Sequence, residues 1–260
     1  MDIVDSTTTN SSPVPHPLTG QWSLSITIAI LMSWVSTLSL LLVVPIHDIP
    51  LIGLIIAIFG RAFLHTGLFI LAHDAMHQNL LPRHRQLNHR IGQFCVGLYA
   101  FLSYRKCRMN HGKHHQIPAQ VGDPDFHDGI HPHPVWWYFK FLRGYLSLTS
   151  FSLFTGAWIG IFWVGDTALH IAPLNILLFW LLPLILSSTQ LFIFGTYLPH
   201  RHGTTALPAN PLTQPTQLLW SLLSCYHFGQ YHWEHHRYPQ TPWYQLPQAG
   251  SNPINQPLTT

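Results

Sequence analysis

Five residues near the end of the chain, His232-Trp233-Glu234-His235-His236, carry three imidazoles at i, i+3 and i+4. On a helix these positions share one face. His111-Gly112-Lys113-His114-His115 repeats the spacing, and His73 and His77 stand four apart in His73-Asp74-Ala75-Met76-His77. Imidazole nitrogen suits zinc, copper, iron and nickel. Eight imidazoles on three segments exceed what one ion uses, so the pattern predicts a site for two. Zinc is not excluded by the count, because two closed zinc sites would take four ligands each. His200 is the expected ninth ligand, with His202 as its rival.

The rest of the composition narrows the donor set. The chain holds 20 histidines against nine Asp plus Glu, and Glu234 is its only glutamate. A carboxylate-rich cage of the ferritin-like kind is therefore unavailable. The three cysteines, Cys95, Cys107 and Cys225, form no CxxC pair. They offer neither a disulfide framework nor a thiolate metal site. Metal-bound imidazoles usually donate their second N–H to a carboxylate or carbonyl. Asp74, Asp123, Asp125 and Glu234 are the candidates, and Asp74, Asp123 and Glu234 are the carboxylates we assign to catalysis. For Asp123 and Asp125, in Gly122-Asp123-Pro124-Asp125, turn and helix-cap chemistry is an equally good account. His227 is expected to be a packing or outer group. His65, His84, His89, His127, His131 and His133 are expected at the surface, in an interfacial belt or around the site, with His127 the nearest to the metals.

These segments need a scaffold. Of 260 residues 47% are hydrophobic and 8% charged, against about 25% charged in a soluble domain. Mean hydropathy is +0.19. An all-α integral membrane protein is predicted, with a disordered tail over 1–21, one domain over 22–247 and a short tail over 248–260. The tail has Asp2 and Asp5 but no Lys or Arg, a poor start for a cleaved signal peptide. Four apolar runs are long enough to cross: Trp22 to Ile46, Leu51 to Ala72, Tyr145 to Val164 and Leu174 to Leu198. They form two hairpins beneath a His-rich helical cap. Arg61 and His65 lie inside the second run with no evident partner, at a cost of about 3 kcal/mol or more for a cation at that depth. Pro183 predicts a kink in the fourth.

Seven Lys and Arg fall between residues 78 and 113, and neither opposite turn has any. The positive-inside rule then puts the His clusters and both termini on the cytoplasmic side. Ile91 to Ser103 is apolar but too short to cross. Trp136, Trp137 and Tyr138, with Lys140 and Arg143, read as an aromatic belt with basic anchors, and Leu218 to Phe228 as a short helix leading into the last cluster. The basic run also offers a docking surface for an acidic electron carrier. No nucleic-acid partner is expected.

The motifs HDAMH at 73–77, HGKHH at 111–115 followed by DPDFH at 123–127, and HWEHH at 232–236 resemble those of the membrane di-iron family of desaturases, alkane hydroxylases and carotenoid oxygenating enzymes. The chain is most similar there to the bacterial-type β-carotene ketolases. Thr66 to Ile70, Asn88 to Gly92, Phe194 to Arg201 and Tyr231 through Pro247 (YHWEHHRYPQTPWYQLP) carry that likeness. Gln78 stands where the family pattern has glycine. The resemblance implies two irons held by His73, His77, His111, His114, His115, His200, His232, His235 and His236. It also implies O2 as co-substrate, a ferredoxin-type electron donor and a carotenoid substrate drawn from the bilayer. The implied reaction oxidises C4 of a β-ionone ring by two hydroxylations and a dehydration, taking β-carotene to echinenone and canthaxanthin. Trp136, Trp137, Tyr138, Trp233 and Trp243 are candidates to line the substrate path. A related hydroxylase or desaturase is the nearest alternative. A non-catalytic metal carrier is the alternative from another class, and it would place ligands along a path through the spans.

Overall fold

The computed structural model describes residues 19–201 and 214–250. His202 therefore lies outside the described residues, as do most of the two tails. The described residues form helices and turns without strands. We label the helices α1 (Thr19–Val43), α2 (Leu51–Met76), α3 (Arg85–Ala100), α4 (Tyr104–Gln116), α5 (Pro134–Tyr145), α6 (Leu148–Thr167), α7 (Pro173–His200), α8 (Pro215–Cys225), α9 (His232–Arg237) and α10 (Leu246–Gly250). Helix α1 begins within the stretch expected to be tail.

Four helices, α1 (from Gln21), α2, α6 and α7, are long and apolar enough to cross a membrane. A helix satisfies its backbone polar groups internally, the condition hydrocarbon imposes. In α2 the first turns show Ile52, Ile55, Ile56 and Phe59 outward, whereas nearly every residue from Arg61 to Met76 is buried. The same helix thus faces lipid at one end and supports the cap at the other. Helix α3 lies against that buried end. A Cβ on Gly92 would fall 2.7 Å from Ala75 Cβ and 2.6 Å from the Tyr104 ring, so only glycine permits this approach.

Helix α6 begins three residues later than the predicted span. Tyr145 ends α5, and the Ser147 side chain accepts from Ser150 N to cap α6. The belt expectation is corrected in two places. Trp137 is 1% exposed and donates Nε1–H to Asp125 O at 2.8 Å. Lys140 Nζ donates to the carbonyls of Asp123, Pro124 and Phe126, tying down the DPDFH turn. Of this group Trp136 and Arg143 are exposed.

Arg61 finds partners that the sequence did not suggest. Pro183 has no N–H, so the carbonyl of Phe179, four residues earlier, loses its helical donor. Arg61 Nε donates to that carbonyl at 3.1 Å, while Nη1 donates to Trp34 O at 2.6 Å and Thr37 Oγ1 at 2.9 Å. Its guanidinium also sits 5.0 Å from the Trp34 ring centroid. Helix α7 accommodates the disruption with two π-type stretches, Leu177–Leu181 and Leu191–Tyr197, rather than with a break. His65 is likewise a core residue, not a surface or belt group. It accepts from Trp34 Nε1 at 3.1 Å and donates to Tyr99 O at 2.8 Å.

Candidate metal centre

Four elements deliver the histidines. His73 lies in the last turn of α2 and His77 caps it. His111, His114 and His115 project from α4, His200 ends α7, and His232, His235 and His236 fill α9. The segment after His77 reverses at once. Gln78 adopts φ 69, a left-handed conformation that glycine adopts most readily. Asn88 closes this turn, accepting from Leu81 N and donating to Ala75 O. A second reversal, Tyr226 and His227 at φ 48 and 70, aims α9 at α2. Tyr226 holds it by stacking on Phe63, centroids 4.4 Å apart, and donating to Phe63 O. Asn79 Nδ2 donates to Pro239 O at 3.0 Å and Trp243 N to Asp74 Oδ2 at 3.3 Å, fastening α9's flanks to the end of α2.

The structure brings all nine histidines together. Ligand atoms of His73, His77, His111 and His235 lie within 4.8 Å of one another, and so do those of His114, His200, His232 and His236. His115 Nε2 sits 3.0 Å from both His111 Nε2 and His235 Nε2, joining the first group. Its ring is 4.3 Å from His236 of the second. Within the groups, His77 and His111 approach at 2.6 Å, and His236 Nε2 lies 2.9 Å from His114 Nε2 and 3.0 Å from His232 Nε2.

Ring orientation explains why these nitrogens converge. His114 donates Nδ1–H to Asp123 Oδ2 at 2.9 Å, and His200 donates Nδ1–H to Thr196 O at 2.5 Å. Both Nε2 atoms are then lone pairs aimed at one point. Burial, reinforced by neighbouring imidazoles, holds His111, His232 and His235 well below the usual imidazole pKa. They are neutral, the state a metal needs. Burial also pulls on His114, but the hydrogen bond to Asp123 and the charges of Asp125 and Asp123 outweigh it and raise its pKa. A carboxylate behind the ring makes it a stronger donor. Five nitrogens in one group and four in the other, none shared with a thiolate or carboxylate, fit two first-row transition ions.

The carboxylates separate on inspection. Asp123 does both jobs foreseen for it: besides His114, it accepts from Ala119 N and Asp125 N in the turn. Asp125 instead accepts from Tyr145 Oη at 2.7 Å. Asp74 Oδ1 stands 3.9 Å from His73 Nδ1, beyond hydrogen-bond reach, with its other oxygen on Trp243 N. Glu234 is buried within α9. His227 bonds Ser221 Oγ and stacks on Trp243. His127 packs on Phe126 and Trp137, outside both groups. Sequence reasoning missed Tyr145, Thr196 and Phe228, which with His73, His111 and His235 line a cavity of about 60 Å3 against the histidines. Tyr145 was hidden because it read as the first residue of a span.

The sequence profile of the fatty acid desaturases matches residues 47–154 and 144–254. The chain is 37% identical over 237 residues to a β-carotene ketolase of Paracoccus sp. (strain PC1), covering 87% of this chain and 91% of that one. It is 42% identical over 194 residues to β-carotene 4-ketolase 3 of Haematococcus lacustris, covering 71% of this chain and 58% of that one. A zeaxanthin 4-ketolase of Chlamydomonas reinhardtii is 40% identical over 197 residues, 74% of this chain and 43% of its own. The chain thus spans about half the length of the algal relatives it matches. No solved structure gives a significant match.

Proposed function

We infer that this chain, which belongs to the fatty acid desaturase family and within it to the β-carotene ketolases, is a membrane carotenoid 4-ketolase. The observation that carries the reading is a nitrogen-only pair of metal groups opening on an apolar cavity. His73, His77, His111, His115 and His235 would hold one iron, and His114, His200, His232 and His236 the other. Bound there, the irons supply reductive activation of O2, with electrons from a ferredoxin-type donor.

The chain's own residues do the rest. Phe69, Ile70, Leu191 and Phe228 hold a β-ionone ring against the imidazoles and exclude water. Asp123 and the Thr196 carbonyl fix the rings of His114 and His200. Each hydroxylation at C4 consumes one O2, two electrons and two protons, placing one oxygen atom in the C4 hydroxyl and releasing the other as water. The geminal diol left by two rounds loses water to give the ketone, so β-carotene becomes echinenone and then canthaxanthin. The basic residues from Arg83 to Lys113 flank the histidine segments, which supports a cytoplasmic site and offers the donor a complementary surface.

A metal carrier would need ligands strung through the spans. Among the described residues His65 is the imidazole well inside a span, and both its nitrogens are engaged by protein. Expression in a β-carotene-producing host tests the proposal: echinenone and canthaxanthin are expected, with about two irons per purified chain. Unchanged β-carotene would refute it, and ring hydroxylation alone would convert it to a hydroxylase.

A further inference from the structure

The metal-facing cavity does not end at the histidines. Phe69, Phe141, Tyr145 and Leu191 line both it and a second cavity of about 220 Å3 walled by α2, α3, α5, α6 and α7. Phe154 in turn lines both that cavity and an open groove of about 600 Å3 along α6. The groove continues past Trp158 and Phe162 to Asp166. Phe154, Trp158 and Phe162 stand four residues apart, with successive centroids 6.2 and 6.1 Å apart, forming an aromatic ladder. Helix α6 is 20 residues long, about 30 Å, which matches the hydrocarbon core of a bilayer.

We propose that this groove binds the distal half of the carotenoid, so that the substrate spans the bilayer beside α6 with only its near ring in the metal-facing cavity. The proposal rests on the carotenoid reading above. The inner cavities are too small for the whole molecule, since sites enclosing even a drug-sized ligand run to about 300–1,000 Å3. A conjugated chain cannot fold back on itself, so its remainder must leave in a straight line, and the groove meets the inner cavity at their shared wall residue, Phe154. The ladder's rings are inclined 63° and 45° to one another, so they offer a conjugated chain edge and face contacts in turn.

Thr155 and Ile159 line the groove and are exposed, so a tryptophan at either fills it without disturbing buried packing. Membranes carrying the full chain are supplied with β-carotene or with a half-length apocarotenoid bearing one β-ionone ring, and rates are expressed per bound iron. For Thr155→Trp and Ile159→Trp, kcat/KM for β-carotene is expected to fall at least about tenfold, and for the half-length substrate less than about twofold. Leu153→Trp, exposed on the same helix but outside every cavity named here, should leave both unchanged. An equal fall with both substrates, or no fall with either, overturns the groove and leaves it to lipid acyl chains. If the unsubstituted protein oxidises neither substrate, it is the ketolase reading that fails.

Discussion

Two sets of buried polar residues sit in this apolar protein, and they are built on opposite logic. Around Arg61 and His65, donors are matched to acceptors: Arg61 to the Phe179 and Trp34 carbonyls, His65 between Trp34 Nε1 and Tyr99 O. In the nine-histidine cluster, ring nitrogens face ring nitrogens at 2.6 to 3.0 Å. Protein groups engage both nitrogens of His65 and all of the Arg61 guanidinium except Nη2. The second presents many lone pairs to two points, an arrangement that fits metal ions. A histidine buried in a membrane protein is therefore not in itself a sign of metal; what discriminates is whether both its nitrogens are already spoken for.

Three substitutions break this contrast, in descending order of effect. His235→Ala removes a nitrogen at the junction of His111 and His115. Ketone formation should drop by more than about 100-fold, with iron lost on elemental analysis, because a missing ligand costs more than the 10–100-fold typical of an outer partner. Full turnover would exclude His235 from the ligand set. Asp123→Asn weakens the grip on His114. A chelator competition series should show iron affinity reduced about 10–100-fold, and an unaltered series would make Asp123 a turn residue only. Arg61→Met leaves the Phe179 carbonyl without a donor, at a cost of about 1–3 kcal/mol. Thermal unfolding in detergent should shift down, while activity per bound iron stays near that of the unsubstituted chain. Lost activity per iron would instead tie the intramembrane set to catalysis.

The contrast also explains what could be read in advance. Four spans follow from uninterrupted apolar runs, and the one-face spacing of HGKHH and HWEHH follows from helical periodicity. Arg61 could not be matched, because its partner is a main-chain carbonyl released by a proline more than a hundred positions away. No side-chain pattern records that. Trp137 and Lys140 were misplaced for a related reason: an interfacial belt and a buried loop clamp use the same residue types. Which group each histidine joins also had to await the structure. Adjacent His114 and His115 diverge by about 100° around their helix and point into different halves of the cluster.

Helix α9 is six residues long, yet His235 reaches one half of the cluster and His232 and His236 reach the other. Any displacement of this single turn opens both halves at once. An ion seated in either half would therefore restrain the turn that carries ligands for the other half.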